Sequence, residues 1–227
     1  MTNTKELEKL VARANEGDQE ALQQILNPVG RPGLVMPTWA DCVRYPDGYH
    51  LGRNDLPQAL WAAFTSGVLH DPEEVTKGVS QAWTMCEWPL HALDESAWET
   101  LFTHTGFLSD ATPNQKAAQV DQLDRPATLY RSAHPDYMPG MSWTSDLETA
   151  YWFACRNRRF GYLDSSTTAV VKVDTDKCPW WLPLAHFNVR DEHEWVMPWP
   201  RRALPREHLS FHELDLLSAK WQREKAA

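Results

Sequence analysis

Leu129-Tyr130-Arg131, Met141-Ser142-Trp143-Thr144-Ser145 and Glu192-His193-Glu194-Trp195-Val196 stand in this order in the second half of the chain, each setting polar groups in an apolar, strand-like stretch. Successive side chains leave a pleated strand on opposite faces, so Ser142 and Thr144 share one face and Trp143 takes the other. By the same rule Glu192 and Glu194 point one way and Trp195 the other. Strands are expected over 127–133, 141–145, 167–173 and 192–197. The run Thr-Thr-Ala-Val-Val-Lys-Val over 167–173 is the clearest of them. Asp146 stands where it would cap a helix carrying Ala150, Phe153 and Ala154, with Glu148 in its first turn. Strands with one crossing helix and turn-rich connections give an α+β class.

The first half reads differently. Leu7, Leu10, Val11 and Ala14 recur at helical spacing, and Asp18 precedes Ala21, Leu22, Ile25 and Leu26, so two short helices are expected over 4–26. A loop follows at 28–33, then irregular turns to about 57. Helices are expected over 57–69 and 72–85, introduced by Asp55 with Pro57 and by Asp71-Pro72-Glu73-Glu74, and another from Asp94 to near Gly106. The polar, turn-prone stretch 109–126 suggests a boundary. The expected organisation is a helical N-terminal region over 1–110, serving as lid, target-binding or partner-docking part, and a motif-bearing domain over 111–227.

Composition narrows the classes. With 42% hydrophobic and 23% charged residues the 227-residue chain is ordinary for a soluble globular protein. No stretch approaches the roughly 18 apolar residues of a membrane span. The first eight residues hold no apolar run of the signal type, so a cytoplasmic protein without membrane association is expected. Cys42, Cys86, Cys155 and Cys178 are scattered without metal-site or disulfide spacing, so reduced thiols and no metal are expected. A net charge of −9 disfavours nucleic-acid binding by general basicity, although Arg156-Asn157-Arg158-Arg159 and Arg201-Arg202 with Arg206 form local basic clusters. Tryptophan is abundant, with 12 residues, and most are expected in the core. His208 and His212 have i, i+4 spacing without the carboxylates of a metal site.

An arginine, a Ser-x-Thr and a Glu-x-Glu, in this order and these contexts, resemble the motif set of NAD-dependent mono-ADP-ribosyltransferases of the Arg-Ser-Glu type, bacterial and phage toxins among them. The resemblance covers about residues 127–200 and departs from a strict Ser-Thr-Ser by Trp143. It implies a split β-sheet core and a glycosyltransferase reaction in which NAD is the substrate and nicotinamide leaves. Arg131 would bind phosphate or ribose oxygens through paired hydrogen bonds. Ser142 would hold Glu194, with Thr144 supporting the strand. Glu194 would stabilise the oxocarbenium-like sugar in the transition state. Glu192 would position or deprotonate the nucleophile, and an acidic residue there points to an arginine acceptor.

The resemblance also implies an aromatic group against the nicotinamide, for which Tyr137, Tyr151 and Phe153 are the candidates, and a substrate loop before Glu192 in which Phe187 and Arg190 would meet the acceptor. A histidine placed like His134 can contact a ribose hydroxyl, although a lone histidine is more often structural. The acceptor is expected to be protein arginine, with an RNA or DNA base as the other option, and a toxic activity of this kind calls for an antitoxin or immunity protein. The competing readings are an NAD glycohydrolase, a non-catalytic nucleotide- or partner-binding module on the same fold, and an unrelated tryptophan-rich binding domain.

Overall fold

The computed structural model describes residues 37–44, 48–109, 125–134, 139–164 and 168–225, with Lys9, Ala12, Arg13 and Asp18 besides; the side chains of Arg190 and of 221–225 are not described. Apart from those four residues, the helices expected over 4–26 lie outside the described residues, as do the loop at 28–33 and the boundary at 110/111.

Among the described residues five helices come first: α1 (Trp39–Cys42), α2 (Leu56–Thr65), α3 (Pro72–Met85), α4 (Pro89–Ala92) and α5 (Glu95–Thr105). There follow β1 (Leu108–Ser109), β2 (Thr128–Arg131), β3 (Ser142–Thr144), α6 (Leu147–Arg159), β4 (Val170–Asp174), β5 (Ala185–Phe187), β6 (Glu194–Val196), β7 (Arg206–Leu209) and α7 (Phe211–Lys225). Side-chain caps set the starts of α3, α5 and α6. The Asp71 carboxylate accepts from the backbone N–H of Glu73 and Glu74 at 2.8 and 3.2 Å, with Pro72 just inside α3. The Asp146 carboxylate accepts from Glu148 and Thr149 N–H at 3.3 and 2.8 Å, and Arg156, Arg158 and Arg159 meet the negative end of the α6 dipole.

Two sequence-expected boundaries move for backbone reasons. α2 stops at Thr65, short of the expected 69, because Gly67 enters the left-handed region at φ 72°. The strand expected from 192 begins at Glu194, because Asp191 and His193 sit at φ 58° and 46° and break the extended chain. His208 lies on β7 and His212 on α7, so the two are not neighbours on one helix.

The strands form a seven-stranded mixed sheet in the order β1-β5-β6-β3-β2-β4-β7, parallel between β1 and β5 and antiparallel elsewhere. The class is α+β. A split core was expected, yet the pairing runs unbroken, because β6 bonds to β5 on one side and to β3 on the other. Register places Phe187, Glu194, Thr144, Tyr130 and Lys172 in one row across five strands, on one face.

That face is covered twice. Helices α1–α3 and α5 pack over β1, β5 and β6, burying Trp83, Trp98 and Phe102 with Leu108, Ala185, Phe187 and Val196. Helices α6 and α7 pack over β2 and β4, burying Ala150, Ala154, Phe211 and Leu214 with Val170, against Tyr130. The opposite face carries Leu129, Val171, Val173, Trp143 and Trp195 with Trp181. Each of the larger buried side chains contributes about 1.5–3 kcal/mol of transfer free energy. Glu194 and Thr144 occupy the middle of the row, where the two helical covers meet.

Candidate active site

Glu194 opens β6 and is partly buried. Its carboxylate accepts two side-chain hydrogen bonds, one from the Trp83 indole Nε1 on α3, at 3.1 Å to Oε1, and one from the Ser142 hydroxyl on β3. Burial pushes the carboxyl above the usual glutamate range. The bonds from Ser142 and Trp83 work against that rise, the Glu192 charge adds to it, and the Arg131 charge opposes it. The site thus holds a desolvated carboxylate in a fixed orientation beside a guanidinium, a setting in which a developing positive charge is stabilised more strongly than in water.

Arg131 closes β2 and turns across the end of β3, where its Nη1 donates to the Ser142 carbonyl at 2.5 Å. Burial draws the guanidinium down to about 10, with Glu194 holding it up, so it stays charged at neutral pH. Its seat is shaped by Gly140. A Cβ at that position would lie 2.3 Å from Arg131 Nη2 and 2.4 Å from Cζ. The missing side chain is therefore the space the guanidinium occupies. One residue serves both sides here, since the Gly140 carbonyl accepts from Trp143 Nε1 at 2.8 Å. The arginine, serine and glutamate, 11 and 52 residues apart in sequence, meet at one place through the order β6-β3-β2.

Thr144 is buried and bonded within the protein. Its hydroxyl donates to the Glu192 carbonyl at 2.8 Å and accepts from Asp146 N–H at 3.0 Å, fixing the turn before Glu194 to the start of α6. His193 N–H donates to the Asn188 side-chain oxygen at 3.1 Å, and Ser145 N–H to the His193 carbonyl at 3.4 Å. These bonds hold the two left-handed residues of the turn, which cost stability unless their surroundings fix them. Glu192 is helical in backbone, φ −81° and ψ −13°, so the strand alternation expected to align it with Glu194 does not operate. Its charge still reaches Glu194, which it helps to raise.

The aromatic candidates divide. Tyr151, expected against nicotinamide, packs against the core between α6 and α7, where its hydroxyl donates to the Asp215 carboxylate, which raises the phenol. Phe153 lies edge-on to Trp152 at 5.0 Å. It shares a flank of α6 with Arg156, which pairs at 3.3 Å with Glu87 just beyond α3. Glu87 also binds Arg53 at 2.7 Å. Phe187, expected to stack on an acceptor, is 1% exposed and belongs to the core under the helices. Tyr137 and the Arg190 side chain lie outside the described residues. His134 is partly buried just beyond β2. Of the basic clusters, Arg201 pairs with Glu99 at 2.9 Å and Arg202 lies 5.5 Å over the Trp180 ring.

Two contributors escaped the sequence reading. Trp83 sits on the apolar face of a helix, where nothing distinguishes it from its core neighbour Trp98; its one signal is that a buried indole N–H requires an acceptor. Gly140 reads as a turn residue after Pro139, and its role emerges only with the arginine laid upon it. Among the described residues no group of His, Cys, Asp or Glu is arranged to hold a metal ion, and the four cysteines are free thiols. No helix among them is long and apolar enough to cross a membrane.

Compared with protein-family models, curated proteins and solved structures, the chain gives no match.

Proposed function

We propose that the protein is an NAD-dependent mono-ADP-ribosyltransferase of the Arg-Ser-Glu type, built on an ADP-ribosyltransferase-like core. The observation that carries the reading is the meeting of Arg131, Ser142 and Glu194: three residues singled out by sequence order, from three strands, with Ser142 bonded to Glu194 and Arg131 bonded to the Ser142 carbonyl.

In this reading Arg131 binds phosphate or ribose oxygens of NAD, a task suited to a charged, planar donor set. Glu194 accepts a hydrogen bond from the ribose hydroxyl beside the reacting carbon. The bond from that carbon to the nicotinamide nitrogen breaks, its electron pair leaves with neutral nicotinamide, and the sugar acquires oxocarbenium character. Glu194 stabilises that charge more than it stabilises bound NAD, which is what accelerates the step. The acceptor nucleophile then bonds to the sugar carbon and loses a proton, for which Glu192 is the nearby base. An acidic residue at Glu192 favours a guanidinium acceptor, hence protein arginine over an RNA or DNA base. A transferase of this kind, acting in the cytoplasm as a toxin or phage-defence effector, requires a neutralising antitoxin or immunity partner.

The test is nicotinamide release from NAD by the purified protein, with a labelled NAD analogue and a Glu194→Ala variant. Glu194-dependent release supports the chemistry. The labelled product then separates protein, nucleic acid and free ADP-ribose, the last marking a glycohydrolase. No release, with cell lysate supplying acceptors, overturns the reading.

A further inference from the structure

We infer that Trp83 is a positioning residue for Glu194, so that the helical layer supplies one of the two donors that orient the reacting carboxylate. The inference rests on the transferase reading and deepens it, since it assigns part of the catalytic apparatus to the segment ahead of the motif strands.

The geometry is specific. Trp83 is 2% exposed, and its ring is held edge-on by Trp98 at 4.9 Å and by Phe102 at 5.3 Å. With the ring so fixed, the direction of its N–H is fixed too, and the acceptor is Glu194 Oε1 at 3.1 Å. An indole donates, never accepts and carries no charge. It therefore restrains the carboxylate without neutralising it, leaving the negative charge for the sugar cation. The charged groups acting on Glu194 are Arg131 from β2 and Glu192 from the preceding turn, with Ser142 from β3 as the other donor. Replacing the indole donor would let the carboxylate rotate about its remaining bond to Ser142 and hold its proton to higher pH.

Trp83→Phe removes the N–H and keeps an aromatic ring. Trp39→Phe is the matched control: it removes an indole bond to the Gln81 side-chain oxygen at 2.6 Å from the same helical core, at a residue outside the group of rings that holds Trp83. The expected result is a roughly ten-fold fall in kcat for nicotinamide release by Trp83→Phe, with KM for NAD unchanged and the acid limb of the kcat profile moved to higher pH. Trp39→Phe should keep both kcat and the limb while lowering the melting temperature. If Trp83→Phe does not fold, a benzothiophene analogue of tryptophan at position 83, isosteric but lacking the N–H, takes its place. Wild-type kcat and acid limb in the variant lacking the N–H, or equal losses in Trp39→Phe, would overturn the inference while leaving the transferase reading intact. If the wild-type protein releases no nicotinamide, that reading fails, and the carboxyl titration of Glu194 followed by NMR decides the contact alone: an upward shift without the N–H supports it, and an unchanged titration removes it.

Discussion

From the sheet, Glu194 receives the hydroxyl of Ser142 and the field of Arg131; from the helical layer it receives one indole N–H, that of Trp83. The sheet's groups lie on strands of three or four residues, Ser142 and Glu194 each beside a buried tryptophan of the opposite face. The helical donor sits in a 14-residue helix among aromatic rings and differs from those rings in no sequence property. The contrast is between a site written as a motif and a site assembled by packing. A strand one residue out of register turns every side chain to the wrong face, so its polar positions are sharply specified. A helix in a wide aromatic contact need only aim one ring correctly.

The largest effect is expected from Glu194→Ala, which should lower nicotinamide release roughly a thousand-fold, as measured by product chromatography, while the circular dichroism spectrum is kept. Next in size is Phe187→Ala. Phe187 shares a register row with Glu194 yet lies beneath the helices, so its loss should cost about 3–5 kcal/mol in urea unfolding. A variant of wild-type stability that had lost only acceptor labelling would restore it to the substrate loop.

Smaller, and confined to the sheet's side, is Gly140→Ala. The added methyl would stand where the Arg131 guanidinium lies, so KM for NAD should rise roughly ten-fold while kcat falls less. An unchanged KM would detach Arg131 from NAD binding. The smallest effect concerns pH. A carboxyl raised on folding holds its proton more tightly in the folded state, so stability falls as pH rises from the ordinary glutamate range through the raised value. Glu194→Gln keeps an acceptor and removes that penalty. It should melt higher than wild type at pH 8, by roughly 2–4 °C for each kcal/mol relieved, and no higher at pH 4. Equal melting at both pH values would show that burial does not raise this carboxyl.

The same contrast decides how much of the site is legible in the sequence. Polar–apolar alternation around Ser142 and Trp143 announced both the strand and its two faces, and Asp146 announced the helix after it. The seam between Trp83 and Glu194 had no local signature, because it joins residues 111 apart. Glu192 was misplaced for a different reason: the left-handed residues flanking it, Asp191 and His193, are not glycines, so the break in the strand left no mark in residue type. Tyr151 and Phe153 stand two residues apart on one helix, and only the position of α7, which claims the Tyr151 hydroxyl, separates them.

The span of 111 residues between donor and carboxylate also sets when the proposed activity can begin. During synthesis α3 leaves the ribosome long before β6 exists, and β1 must wait for β5, its one parallel partner. Contacts so distant along the chain form late. A nascent or truncated chain would carry the helices, or even Arg131 and Ser142, without an oriented carboxylate, so on this reading a toxic enzyme would stay inert until its last motif had been translated and the whole sheet had closed.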